Sequence, residues 1–183
     1  MEEQWCPWRN KNMNRQKIIQ SLEQELASLE QSIGDDHPDA IRARHKLAHI
    51  YRAAQRYDQA IALFWQNVTA CSHVSGTAHL TTLRRRSSLA NCYYAAGRYL
   101  EAIPLFEGIL RERELALGDN HPDTLRSRGS LANCYRVIGR LQDAIDLYRD
   151  TLLAREQVLG PGHVSTEASR RNLATAQGEA GSG

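Results

Sequence analysis

Four glycines, Gly34, Gly76, Gly118 and Gly160, are spaced by 42 residues, and three further rows keep the same step. These rows are His37, His79, His121 and His163; Arg44, Arg86, Arg128 and Arg170; and the pairs Leu47–Ala48, Leu89–Ala90, Leu131–Ala132 and Leu173–Ala174. One fixed period of this size is the mark of a repeat architecture, in which each unit hides its apolar face only against its neighbours. The phrase GDNHPDTLRSR at 118–128, with its imperfect copy GDDHPDAIRAR at 34–44, is part of that period.

Within a unit the apolar pattern is helical. In the third copy Leu125, Leu131, Ala132, Tyr135 and Ile138 recur at three-to-four-residue spacing and make one stripe. Gly139 then supplies a stop, and Leu141, Ala144, Ile145, Leu147, Tyr148 and Leu152 make a second stripe. Each unit is therefore a helix, a tight turn and a longer helix. Composition agrees with an all-α chain: five prolines and twelve glycines among 183 residues leave few interruptions.

The internal spacing carries a resemblance. Leu47–Ala48 and Tyr51 lead to Ala60 and Phe64; Leu89–Ala90 and Tyr93 to Ala102 and Phe106; Leu131–Ala132 and Tyr135 to Ala144 and Tyr148. This resembles the tetratricopeptide repeat, in the 42-residue class found in kinesin light chains. An arginine row stands where that repeat usually has a first-helix tryptophan. The resemblance implies a right-handed superhelical solenoid of antiparallel helix pairs and covers about residues 34–178. The expected layout is an N-terminal tail at 1–12 and a lone helix at 13–33, the second helix of an incomplete repeat. Repeats follow at 34–75, 76–117 and 118–159, then a C-terminal capping helix at 160–178 and a flexible tail at 179–183. The tail at 1–12 is expected to be loose, the alternative being that Trp5 and Trp8 fold back over apolar surface of the array.

Little in the chain points to chemistry. The HPD tripeptide is also a hallmark of J domains, but here it sits at a repeat boundary whose other copies read AHL and GHV. Proline suits the first helical position, and Asp39 and Asp123 suit the first turn beside the helix dipole. The four row histidines stand roughly 10 Å or more apart and cannot share one ion, so no metal is expected. Phosphate-loop, H-E-x-x-H and G-x-S-x-G phrases are missing, and neither catalysis nor a cofactor is expected. Cys92 and Cys134, each followed by tyrosine in a helical stretch, are expected to be small buried hydrophobes, which suits a reducing compartment. With no long apolar run and no apolar leader in MEEQWCPWRNKN, the expected location is the cytoplasm rather than a membrane.

The resemblance further implies that first helices line a concave groove. Its expected lining is Arg42, His45, His49, Arg52, Arg84, Asn91, Tyr94, Arg126, Asn133 and Arg136, a basic and polar set. Arginine forks fit carboxylates, and asparagine pairs with both N–H and C=O of an extended peptide. The expectation is a scaffold that binds a protein or peptide segment of acidic character. The row Arg44, Arg86, Arg128 and Arg170 has a competing structural role, pairing with glutamates of second helices. A net charge of +2 and 7% aromatics argue against nucleic acid, the alternative reading. Self-assembly through the end helices is a third.

Overall fold

The computed structural model describes residues 7–182, with side chains from Arg15 onward. The described residues form eight helices and no strand: α1 Pro7–Ile33, α2 Pro38–Ala53, α3 Tyr57–Ser75, α4 Leu80–Ala95, α5 Tyr99–Leu117, α6 Pro122–Val137, α7 Leu141–Leu159 and α8 Val164–Gly181. The all-α repeat reading is therefore what the chain adopts. The starts of α2, α4 and α6 keep the 42-residue step, as do those of α3, α5 and α7. The chain divides into two compact units, Met1–Arg85 and Arg86–Gly183, with the boundary inside α4.

The seam between repeats is built by the glycine–histidine phrase. Gly76, Gly118 and Gly160 close α3, α5 and α7 at φ of 88°, 86° and 85°, a left-handed backbone that favours glycine. The row histidine follows as an N-cap. Its Nδ1 accepts the backbone N–H two residues on, at 3.2 Å from Asp39, 3.3 Å from Thr81, 3.1 Å from Asp123 and 3.1 Å from Ser165. Pro38 and Pro122 then occupy the first helical turn, where no N–H is needed. The HPD phrase is thus a capping device, as expected for punctuation.

The turn inside each pair has its own device. The N–H of Arg56, Arg98 and Arg140 each reaches the carbonyl of Tyr51, Tyr93 and Tyr135 at 2.9 Å. Their guanidiniums then lie over the same tyrosine rings at 4.6, 4.9 and 4.2 Å from the centroids. Between tyrosine and arginine the backbone turns left-handed, at Gly97 and Gly139 but also at Gln55, whose φ is 60°.

Core packing follows the rows. Ala48, Ala90, Ala132, Ala60, Ala102 and Ala144 are all fully buried, and Leu47, Leu89 and Leu131 nearly so. Phe64, Phe106 and Tyr148 fill the space those alanines leave, with almost no exposure. Cys71, Cys92 and Cys134 are buried, and burial pushes the Cys134 thiol up to about 12, so it stays protonated.

Both chain ends differ from expectation. α1 starts at Pro7 rather than at residue 13, because proline tolerates the first helical position and the following polar run is helix-permissive. Trp5, and the side chain of Trp8, lie outside the described residues. α8 runs on through Glu179 and Ala180 to Gly181, into the segment expected to be a loose tail. It also carries Glu167 and Gln177 where α6 has the buried Leu125 and Tyr135, so its outward face suits water.

Candidate binding surface

The arginine row has a structural role. In the first unit Arg44, 2% exposed, donates through Nε at 3.0 Å and through its terminal nitrogen to Glu30, and to the Asp35 carbonyl at 3.2 Å. In the second unit Arg128 reaches Glu114 at 2.8 Å, and Arg170 reaches Glu156 at 2.7 Å and Glu167 at 2.5 Å. Glu30, Glu114 and Glu156 all stand fourteen residues before their arginines. Serine occupies the corresponding position 72, and Arg86 turns instead to Glu112 at 2.7 Å. Gly108 gives it room, since a Cβ there would stand 2.9 Å from the guanidinium.

A second clasp escaped the sequence reading. Arg113 donates to Ser127 Oγ at 2.6 Å and to the Asp123 carbonyl at 3.1 Å. One period later, Arg155 donates to Ser169 Oγ at 2.6 Å and to the Ser165 carbonyl at 3.1 Å. The signal was present, because Arg113 and Arg155, like Ser127 and Ser169, keep the 42-residue step. Tyr51 and Tyr135 likewise give their hydroxyls to Glu23 and Glu107, and burial with those acids pushes both phenols up to about 12.

Against this consumed set stand the residues expected to line a groove. In the first unit Arg42 is 71% exposed on its side chain and bonds only Asp39 of its own first turn among the ion pairs observed. It lines a hollow of about 330 Å³ with Glu25 and Leu29. Arg84 is exposed on α4. His45, His49 and Arg52 come together: the two Nε2 atoms stand 3.1 Å apart, and Arg52 approaches His49 Nδ1 at 3.4 Å. Phe64 meets both rings edge-on, at 5.6 and 5.2 Å between centroids. Burial, reinforced by the charges of Arg85, His49 and Arg52, drives the His45 imidazole down to about 4. Burial and the same two arginines also lower His49, so both rings are neutral at neutral pH.

In the second unit Arg126 repeats Arg42, 70% exposed and paired with Asp123. Asn133 accepts the Tyr148 hydroxyl, and Arg136 pairs with Glu179 at 2.6 Å. Tyr94 packs edge-on against Tyr99 at 5.3 Å, and Asn91 donates to the Ser87 carbonyl of its own helix at 2.8 Å. The structure therefore gathers His45, His49 and Arg52 in one unit and Asn133 and Arg136 around Tyr148 in the other. Arg42 and Arg126 stand apart, each at the start of its helix. Among the described residues no three His, Cys, Asp or Glu side chains could hold a metal, and no helix is long and apolar enough to cross a membrane.

A family model described as tetratricopeptide repeat matches residues 9–66, 79–152 and 131–182. Among solved structures, a kinesin light chain-like protein of nearly identical TPR-like repeats from Podosopora anserina is 28% identical over 94% of this chain and 82% of that one, with a TM-score of 0.80. A single-residue variant of it aligns at the same identity, over 94% of this chain and 81% of that one, with a TM-score of 0.81. BtubC (BKLC) from P. vanneervenii shares the fold, at 16% identity over 94% of this chain and 69% of that one, with a TM-score of 0.76. No curated protein matches significantly.

Proposed function

Because this chain belongs to the tetratricopeptide repeat family, whose fold is commonly a protein–protein interaction scaffold and typically non-catalytic, we propose that it holds an acidic protein segment against the first helices of its pairs. The observation that carries this reading is the division of labour among arginines on the same helices. Arg44 and Arg128 are drawn into glutamate clasps, whereas Arg42 and Arg126, two residues earlier, stand about 70% exposed. An exposed guanidinium whose acid partner is three residues away on its own helix gives up little to exchange that partner for a stronger bidentate one. His45, His49, Arg52 and Arg84 in one unit, and Asn91, Tyr94, Asn133 and Arg136 in the other, supply the surrounding polar contacts. Buried thiols suit a reducing compartment such as the cytoplasm.

The test is fluorescence anisotropy with glutamate-rich and lysine-rich extended peptides and a single-stranded RNA of equal length, titrated with salt. Tight binding of the acidic peptide alone, lost on Arg84→Glu with Arg126→Glu, is the expected result. Affinity unchanged by the reversals at low salt would overturn the acidic reading. Preference for RNA with a steep salt slope would replace it by a nucleic-acid role.

A further inference from the structure

The histidine pair on α2 has no counterpart at the equivalent places, which hold Ser87 and Asn91, Gly129 and Asn133, and Arg171 and Thr175. His45 and His49 stand one helical turn apart, four residues along the chain, so both rings rise from one face of α2. Their Nε2 atoms are 3.1 Å apart, whereas their ring centroids are 4.5 Å apart. The ring planes stand at 88° to each other, and the two Nε2 atoms are close enough to be reached by one ion. A point about 2.1 Å from each nitrogen, the usual metal–imidazole distance, subtends about 95° between them. That lies between the octahedral and the tetrahedral angle.

We propose that His45 and His49 form a two-imidazole chelate for a late first-row divalent cation, Ni²⁺, Cu²⁺ or Zn²⁺. Imidazole nitrogen suits these ions, and it does not suit Mg²⁺ or Ca²⁺, which take oxygen. The surroundings hold the rings in place before any ion arrives. Phe64 walls both rings, and fully buried Asn67, with its amide turned so that both its groups find partners, braces the α2 backbone under them by accepting the His45 N–H at 3.1 Å and donating to the Ile41 carbonyl at 3.2 Å.

The proton positions can be followed. A guanidinium only donates, so the Arg52 contact makes His49 Nδ1 an acceptor and puts the His49 proton on Nε2. That N–H donates to His45 Nε2, leaving the His45 proton on Nδ1, which is buried without a partner. The His45 Nε2 lone pair is therefore taken up by the His49 N–H, and both Nε2 lone pairs open to an ion once His49 moves its proton to Nδ1 and releases Arg52. Arg52 and Arg85 repel the ion itself, and they favour an anionic ligand in its remaining positions. No third His, Cys, Asp or Glu joins the pair among the described residues, so those positions go to water or to an incoming carboxylate. The inference does not depend on the acidic-segment reading.

Isothermal titration of the untagged chain with NiCl₂ and ZnCl₂ tests it. One equivalent of uptake is expected, weakened at least about tenfold by His45→Ala and by His49→Ala, with folding checked by circular dichroism. Arg52→Gln, which frees His49 Nδ1 and removes a charge, tightens binding. His73→Ala, on an exposed histidine beside Asp36, leaves it unchanged. No uptake at about 100 µM free Ni²⁺, a site that survives both α2 variants, or one that follows His73 would overturn the proposal.

Discussion

The pairs α2–α3 and α6–α7 carry the two HPD phrases and differ in an instructive way. Both begin with a histidine cap, seat an arginine on a glutamate fourteen residues back, tie a tyrosine hydroxyl to a glutamate and stack an arginine on that tyrosine. Those contacts set how one helix leaves another, and the period repeats them. The differences fall between them. The first pair has His45, His49, Gln55 and buried Asn67, where the second has Gly129, Asn133, Gly139 and Thr151. Repetition therefore marks the framework, and departure from it marks where one pair acquires its own chemistry.

Truncating the shared framework has the largest expected effect. Leu47→Ala and Leu131→Ala, at 2% and 4% exposure, should each cost about 2–5 kcal/mol in urea titrations. Clearly unequal costs would break the equivalence of the two pairs. The arginine clasp sharpens the comparison. Arg44→Ala removes contacts to both Glu30 and the Asp35 carbonyl from an almost fully buried side chain, and about 2–3 kcal/mol is expected. Arg128→Ala, with a 12% exposed side chain, should cost about 1 kcal/mol.

The next difference is one of pH. His45 titrates near 4 in the fold against an ordinary 6.5, so the unfolded chain binds the proton more readily. The first pair should therefore lose stability as pH falls from about 6.5 toward 4, and this contribution is constant above that window. His45→Ser, the residue found at position 87, should flatten the slope between pH 7 and 5. A slope unchanged by that substitution would show that other groups set it.

The smallest effect is in the turn. Gln55→Gly should stabilise the first pair by about 0.5–1 kcal/mol, since the left-handed backbone strains glutamine and not glycine. Gly139→Ala should destabilise the second pair by a similar amount, about 1 kcal/mol, and the two melting shifts should have opposite sign.

Legibility followed periodicity. The helix pairs, the glycine stops, the Leu–Ala pairs buried in the first three copies and the buried cysteines could be read because each is a residue type recurring at 42 or at helical spacing. The competing structural role of the Arg44 row was readable for the same reason. The Arg113–Ser127 and Arg155–Ser169 clasps kept the same step and were missed, because serine and arginine at a surface spacing look like solvated helix. The helical extension at Glu179–Gly181 was missed because the glycines around it resemble a linker. It is held at Glu179 by Arg136, a residue 43 positions away.

The sequence by itself determined the repeat, the helix boundaries at each seam and the identity of the core, because these depend on local backbone preferences and on apolar spacing. Only the tertiary structure decided which arginines are spent on glutamates and which stay exposed, since that depends on helices meeting across fourteen or more residues. It also decided that His45 and His49 converge. Four residues of spacing allow two imidazoles to meet, but Phe64 on the neighbouring helix packs against both rings and holds them there.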